Sequence, residues 1–392
     1  MNYTFSNKMN ALAPSAIREI LKATSQPGII PFAAGNPAPE AFPVQAVREI
    51  SARLLQERPV DCLQYGITEG FFPLRERIRE DVKKRLNIGT AADELIITSG
   101  AMQVMDLATK VLCNEGDTII CETPSFIGSL NTFRSYGVRL CGVPMQADGM
   151  DVDALEQALQ AEKNVRFIYT IPNFQNPTGI TMRAAKRRRV YELARKYNVL
   201  VLEDNPYGEL RYDDEPLPCI KSFDEDGRVI YVGSFSKILS PGMRVGYALA
   251  PQPVIAKMTV GKQAGDVHTT MWAQLVVDEW LQHYDVNAHV RKICGIYAAK
   301  RDAMCNGLAG TALQFQVPTG GLFLWCDLPP EIDMLDFTKR AIAAKVAVVP
   351  GSAFAVESTD KINAVRLNFS TPTDEQLAQG VEILRGVLRS FS

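Results

Sequence analysis

One lysine of this chain lies in a setting suited to covalent chemistry. Lys237 follows Ser234 and Ser236 and precedes Arg244 by seven residues, in the run Gly-Ser-Phe-Ser-Lys-Ile-Leu-Ser-Pro-Gly-Met-Arg. Partial burial would lower the pKa of the lysine amine and make it a nucleophile toward an aldehyde. Serine hydroxyls and a guanidinium are natural phosphate ligands. An exposed loop lysine beside ordinary serines is the plain structural explanation of the same pattern.

An acid ends a strongly apolar run earlier in the chain. Asp204 closes the segment that begins Val-Leu-Val-Leu at residue 199, where a carboxylate is costly unless it is paired. A protonated ring nitrogen would be a suitable partner, and Tyr207, three residues further on, could reach a hydroxyl of the same ring. The alternative is a strand-end aspartate that caps the next turn.

Four further motifs carry polar or aromatic groups at predicted turns. Asn176 begins an Asn-Pro-Thr-Gly turn, and its amide suits a phenolate oxygen or a carboxylate. Residues 99–102 precede a helix whose free N–H groups favour an anion. Phe126 could stack on a ring, and Arg366, inside an apolar strand pattern, could hold a carboxylate through two hydrogen bonds. A loop, a helix cap, a core aromatic and an outward-facing arginine are the structural alternatives.

The elements that position these residues alternate between short strands and helices. The sequence predicts strands over 94–98, 118–122, 138–143, 165–170, 199–204, 228–232 and 244–250. It predicts helices over 103–112, 125–136, 152–161, 184–197 and 253–262. The alternation indicates an α/β fold with a mostly parallel seven-stranded sheet between helices. Since ligands bind beyond the carboxyl ends of such strands, the loops that follow them form one candidate site.

The rest of the chain predicts a second, smaller domain. A long helical stretch over 272–308, broken near 284–287, leads to strands over 322–327, 346–349 and 364–369 and helices over 335–344 and 374–388. A short helix is predicted over 14–23. We expect an N-terminal arm over 1–45 that contributes to the small α+β domain, a large domain over 46–285 and a C-terminal part of the small domain over 286–392.

Composition restricts the partners of this chain. Its 392 residues carry a formal net charge of −2, so no basic field attracts nucleic acid or an anionic membrane. The first residues lack the apolar region of a secretory signal, and no apolar run is long enough to span a membrane, so we expect a cytoplasmic protein. Eight cysteines without a C-x-x-C pair and three histidines favour reduced thiols and no metal.

In this order, the motifs resemble those of one family. The run N-P-T-G, followed after 28 residues by D-x-x-Y and after 30 more by S-x-S-K-x-x-x-P-G-x-R, is similar to the class I/II aminotransferases, which are pyridoxal-phosphate enzymes of fold type I. The runs 15–22, 32–40 and 64–70 resemble the 2-aminoadipate/kynurenine-type branch.

The resemblance implies a role for each candidate around the cofactor. It implies that Lys237 carries pyridoxal phosphate as a Schiff base and shuttles the proton, and that Asp204 keeps the pyridine nitrogen protonated. Asn176 and Tyr207 would bind the ring hydroxyl oxygen, and Phe126 would stack on the ring. The implied phosphate ligands are the amides of Gly100, Ala101 and Met102, the side chains of Ser234, Ser236 and Arg244, and Tyr65 from the partner subunit of a homodimer.

The resemblance also implies how the substrate is held. Arg366 and Asn176 would grip the α-carboxylate with help from the Gly35 amide, and Arg18 would reach acidic side chains. Relatives often carry polar side chains where this chain has Ala101 and Met102, and tyrosine where it has Phe126. The phosphate contacts at the first two positions would therefore reduce to backbone amides, and the third position lacks a hydroxyl.

The implied activity is transfer of the amino group of an L-amino acid to a 2-oxo acid such as 2-oxoglutarate by a ping-pong mechanism. Two alternatives stay open. The same fold hosts C–S β-lyases and other pyridoxal-phosphate enzymes, and it also serves as a non-catalytic amino-acid-sensing or cofactor-sensing domain in regulators. A general nucleotide-binding protein is disfavoured because the chain has neither a P-loop nor a G-x-G-x-x-G motif.

Overall fold

Two β-sheets form the framework of the chain. The structure is a computed structural model that describes residues 1–10, 12, 28–213 and 215–391. An eight-stranded sheet and a three-stranded sheet contain all the strands of these residues. The strands are β1 (Asp93–Thr98), β2 (Thr118–Thr123), β3 (Arg139–Gln146), β4 (Gly149–Met150), β5 (Val165–Thr170), β6 (Leu200–Asp204), β7 (Val229–Ser234), β8 (Gly246–Pro251), β9 (Phe323–Asp327), β10 (Val349–Pro350) and β11 (Ala364–Asn368).

The helices surround the larger sheet and extend into the C-terminal part. They are α1 (Asn7–Asn10), α2 (Val44–Glu57), α3 (Pro59–Leu63), α4 (Phe72–Leu86), α5 (Ala101–Leu112), α6 (Ile127–Arg134), α7 (Val152–Ala161), α8 (Ala184–Lys196), α9 (Gln252–Gln263), α10 (Met271–His283), α11 (Val286–Leu308), α12 (Met334–Ala343) and α13 (Asp374–Arg389). None of these helices is both long and apolar enough to cross a membrane. The helix predicted over 14–23 lies outside the described residues.

The large sheet has the order β1-β8-β7-β6-β5-β2-β3-β4. The five strands from β7 to β3 pair in parallel, whereas β8 is antiparallel to both its neighbours. All seven predicted strands are present, but the predicted strand number was wrong by one. The additional strand, β4, pairs with the end of β3 as a hairpin. Two residues are too few to show a strand periodicity, so the sequence contained no signal for it.

Both faces of this sheet are buried, which explains why its strands are apolar without alternation. Ile119 and Phe167 pack into one core with the helix α5, whereas Ile120 and Ile168 pack into a second core with the helices α7 and α8. Parallel neighbours also require crossover connections, so the loops that follow β5, β6 and β7 open at the same edge. That edge carries the candidate site.

The smaller sheet has the order β10-β11-β9 and is antiparallel. The N-terminal segment packs against it, since Ile30 pairs with Val346 and the amide of Asn368 donates to the carbonyl of Phe32. Val346 therefore bridges to the N-terminal segment, and β10 covers only Val349–Pro350 instead of the predicted 346–349. The break predicted in the long helix near 284–287 is present between α10 and α11.

Candidate active site

The loops at the carboxyl edge of the large sheet enclose a cavity of about 320 Å³. This volume is within the range of small-molecule sites. Most residues predicted from the sequence line it, namely Gly35, Ala101, Met102, Phe126, Asn176, Asp204, Tyr207, Ser234, Ser236, Lys237, Arg244 and Arg366. The fold thus brings together side chains that are far apart in the sequence.

Lys237 lies in the loop that follows β7, with its amine inside the cavity. Its Nζ donates to the carbonyl oxygen of Gly35 at 3.0 Å. Desolvation, followed by the charges of Arg366 and Arg244, lowers the pKa of this amine to about 8. About a tenth of the amine is therefore neutral, and nucleophilic, at pH 7.

Asp204 ends β6 and is 4% exposed. The hydroxyl of Tyr169, on the neighbouring strand β5, donates to its Oδ2 at 2.9 Å. Its Oδ1 has no hydrogen-bond partner among the described residues, and burial raises the pKa of the carboxyl to about 7. A buried acceptor without a donor is unfavourable, so this oxygen suits a cationic N–H group of a ligand.

Arg366 lies on β11, in the small sheet, and lines the same cavity. Its Nη1 donates to Asn176 Oδ1 at 2.9 Å and its Nη2 donates to the carbonyl of Ala33 at 2.8 Å. The guanidinium lies 4.2 Å from the ring centre of Phe323, and its Nε has no partner within the described chain. Burial lowers the pKa of Arg366 to about 10. A buried cation in this state favours an anionic ligand such as a carboxylate.

Tyr207 lies between these groups. Its ring contacts the Phe323 ring edge-to-face, and Asn176 hydrogen-bonds to its hydroxyl. Burial raises the pKa of the hydroxyl, so Tyr207 stays protonated near neutral pH and can donate a hydrogen bond. Phe126 lies in the cavity wall just before α6.

A cradle of anion-binding groups forms another part of the cavity wall. Gly100 caps α5 with a φ of +80°, and a Cβ at this position would collide with the guanidinium of Arg244. Arg244 Nη2 donates to the carbonyl of Ser99 at 3.2 Å, and Ser234 Oγ donates to Ser236 Oγ at 3.0 Å. A helix N-terminus, two hydroxyls and a guanidinium therefore converge, as in an anion site.

Two predicted site residues have contacts other than those that the resemblance implies. Tyr65 is 81% exposed, contacts His268 edge-to-face and does not line the cavity of its own chain. Arg18 lies outside the described residues. Gly35 lines the cavity, but its carbonyl oxygen, and not its amide, contacts another predicted residue.

Several residues near the site were not predicted from the sequence. Tyr169 contacts Asp204, Phe323 contacts Arg366, and Ser129 contacts Tyr169. A tyrosine inside a buried strand is a usable signal, because a buried phenol needs a hydrogen-bond partner. The position of Phe323 against Arg366 had no sequence signal, since the two residues lie on different strands of the small sheet.

The residues present fit pyridoxal phosphate. The cavity wall holds the cations Lys237, Arg244 and Arg366, whereas Asp204 is the one carboxylate among its lining residues. This excess of positive charge suits a phosphate and a carboxylate. The free Oδ1 of Asp204 suits a protonated ring nitrogen, and the partly neutral Lys237 amine suits an aldehyde.

Comparison with known proteins gives the same result. The family model described as aminotransferase class I and II matches residues 27–384. The aromatic-amino-acid aminotransferase 1 of Thermococcus litoralis is 39% identical over 98% of this chain and 94% of its own length. Solved structures are also similar along their whole length. A kynurenine aminotransferase of Pyrococcus horikoshii in complex with PMP has a TM-score of 0.94 and 37% identity, and the match covers 98% of this chain and 97% of that chain.

A third relative carries a cofactor derivative. The α-aminoadipate aminotransferase LysN of Thermus thermophilus, complexed with N-(5'-phosphopyridoxyl)-L-leucine, has a TM-score of 0.90 and 36% identity over 99% of this chain and 97% of that chain. The chain belongs to the class I and II aminotransferases. It is an amino-group transferase of fold type I whose cofactor is pyridoxal phosphate.

Proposed function

We propose that this aminotransferase moves the amino group of an L-amino acid to 2-oxoglutarate in two half-reactions that use one site. The observation that carries the proposal is the cavity itself, which a partly neutral lysine lines together with a buried aspartate and a buried arginine. Bound pyridoxal phosphate supplies an electron sink for the charge that develops at the donor Cα. Because the donor product must leave before the acceptor binds, we expect ping-pong kinetics.

The residues of this chain position both the cofactor and the substrate. Lys237 would hold the cofactor covalently and, once released, would act as the base that moves the Cα proton. Asp204 would accept the ring N–H through its free Oδ1. The remaining cofactor contacts that we propose come from Asn176 and Tyr207 at the ring hydroxyl, Phe126 at the ring face, and Gly100, Ala101, Met102, Ser234, Ser236 and Arg244 at the phosphate.

The substrate carboxylate would bind to Arg366, next to Asn176 and Gly35. Two acceptors hold the guanidinium through Nη1 and Nη2, and its Nε–H has no partner, so the group is oriented before substrate arrives. The names of the relatives guide the choice of donors. We propose that aromatic amino acids, kynurenine and 2-aminoadipate are donors, with Arg18 as the contact for an acidic side chain.

We further propose that the enzyme is a homodimer. Large apolar side chains are exposed close together in the sequence around α3 and α4, at Val60, Leu63, Tyr65, Ile67 and Phe72. Exposed apolar patches of this kind are typical of protein interfaces. Tyr65 would then reach the phosphate site of the partner subunit.

We also propose domain boundaries at 45/46 and 285/286. We propose a cytoplasmic location as well, because the eight free cysteines favour a reducing compartment.

Product analysis tests the activity. Purified protein with pyridoxal phosphate, 2-oxoglutarate and L-phenylalanine, L-kynurenine or L-2-aminoadipate should form one glutamate for each 2-oxo acid released. The variant Lys237→Ala should form neither, although it keeps the rest of the cavity. Pyruvate and ammonia without glutamate would instead indicate a β-lyase, and a protein that binds the cofactor without turnover of any donor would indicate a sensing domain.

A further inference from the structure

A line of three hydroxyl and carboxyl groups extends from the cavity into the core. Ser129 on α6 lies 2.9 Å from the hydroxyl of Tyr169, and that hydroxyl lies 2.9 Å from Asp204 Oδ2. Ser129 and Tyr169 are both fully buried, with 0% of each residue exposed. The Tyr169 ring packs edge-to-face on Phe133 of the same helix, at 5.2 Å between ring centres. Ser129 and Tyr169 are therefore packed within the core and shielded from water.

The direction of its hydrogen bonds follows from the chemistry of the groups. An ionised carboxylate can only accept, so the single hydroxyl proton of Tyr169 points to Asp204. Tyr169 must then accept from Ser129, whose proton points to it. Two hydrogen bonds that point the same way strengthen each other, and they do so most where no water competes.

We propose that Ser129 and Tyr169 are positioning residues that hold Asp204 as an oriented carboxylate, with Oδ2 occupied and Oδ1 directed at the cofactor. The proposal rests on the proposed function, since it assigns Oδ1 to the ring nitrogen. Tyr169 would restrict rotation of the carboxyl and stabilise its negative charge. A positively charged ring nitrogen needs that negative charge as its partner.

The other titratable groups near Asp204 cannot take over this role. Glu122, at the end of β2, is buried, and its carboxylate accepts from Thr170 and Gln175 and from the amide of Ile171. Tyr207 hydrogen-bonds to Asn176, and the Lys237 amine donates to Gly35. Within the described chain, Tyr169 is the donor that reaches Asp204.

Removal of the tyrosine hydroxyl should therefore change the protonation of the cofactor ring nitrogen, and not only the rate of the reaction. In Tyr169→Phe, Oδ2 becomes a buried acceptor without a donor, and the carboxyl becomes a stronger base. The proton shared with the ring nitrogen should move toward Asp204. The ring loses part of its positive charge, so proton abstraction at the donor Cα should slow on the order of tenfold. Because Arg366 is untouched, KM for the donor should stay within about twofold.

The experiment uses the holoenzyme reconstituted with pyridoxal phosphate labelled with ¹⁵N at the ring nitrogen. The ¹⁵N chemical shift is followed from pH 6 to 9 in the wild type, Tyr169→Phe, Ser129→Ala and the double variant, and kcat and KM are measured in parallel. The matched control is Tyr136→Phe. Its hydroxyl also donates to an aspartate, Asp106, and it lies outside the site.

The expected result is an ordered series. Tyr169→Phe should move the ring nitrogen toward its unprotonated shift, Ser129→Ala should move it less, and the double variant should equal Tyr169→Phe, because Ser129 acts through Tyr169. Tyr136→Phe should match the wild type. An unchanged nitrogen shift in Tyr169→Phe, or additive effects of the two single variants, would overturn the positioning role alone. A wild type that gives no signal of bound cofactor would overturn the proposed function as well.

Discussion

At the scale of single residues, burial converts ordinary side chains into reactive ones. Burial moves the pKa of Asp204 up to about 7 and that of Lys237 down to about 8, so both groups titrate near neutral pH. Ionisable groups with shifted pKa values in one cleft are typical of catalytic sites. The positions of both residues could be predicted from the sequence. The desolvation that shifts their pKa values arises from residues of other elements.

The pKa of Lys237 predicts how the cofactor attaches. Only a neutral amine attacks an aldehyde, so the rate of covalent attachment to cofactor-free protein should rise with pH and level off above about 8. At pH 7 the rate should be roughly a tenth of its plateau value. Stopped-flow absorbance measures this rate directly.

A charge variant provides the control for this prediction. Arg366 contributes to the lowered pKa of Lys237, so Arg366→Gln should move the midpoint of the rate profile to higher pH. A wild-type midpoint near 10.5, the value of an ordinary lysine, would contradict the desolvated site.

At the scale of elements, the parallel strands position the site. Each crossover returns the chain to the same edge, so the loops after β5, β6 and β7 place Asn176, Asp204 and Lys237 around one cavity. The helix α5 adds its N-terminus at Gly100. The strand and helix patterns were enough to predict this arrangement. In a parallel sheet the loops after the strands lie at the same edge whatever the order of the strands.

The cradle at Gly100 predicts a selective loss of cofactor affinity. In Gly100→Ala the new methyl group would displace the guanidinium of Arg244, so the Kd for pyridoxal phosphate should rise on the order of tenfold. The matched control is Gly116→Ala. Gly116 has a φ of +86° and open space around its Cβ position.

Both alanine variants should lose about 1 kcal/mol of stability from the strained φ, measured as similar decreases in Tm. Equilibrium titration with pyridoxal phosphate then separates them. An equal Kd in the two variants would show that the contact between Gly100 and Arg244 does not shape the phosphate site.

At the scale of the whole molecule, residues from both ends of the chain complete the cavity. The N-terminal segment supplies Gly35 and the small sheet supplies Arg366, while the large sheet supplies Lys237 and Asp204. The exposed position of Tyr65 fits a site that a second subunit completes.

Mixed dimers test whether two subunits share the site. A chain with Lys237→Ala should be inactive alone, and a chain with Tyr65→Ala should have low activity alone at a limiting cofactor concentration. After the two are refolded together, about a quarter of all sites should carry both native residues and regain wild-type cofactor affinity. Each variant refolded with itself is the control. No gain of activity in the mixture would show that Tyr65 does not act across a dimer.

The sequence by itself determined the succession of strands and helices along the chain, the fold class and the candidate residues at strand ends. These features depend on apolar periodicity and on turn residues, which are local properties of the sequence. It could not determine the eighth strand, the partner of Asp204 or the acceptors of Arg366. Those contacts join residues far apart in the chain, as Arg366 and Asn176 are 190 positions apart. Only packing of the folded chain decides which distant groups meet and which of them are left without a partner for a ligand to satisfy.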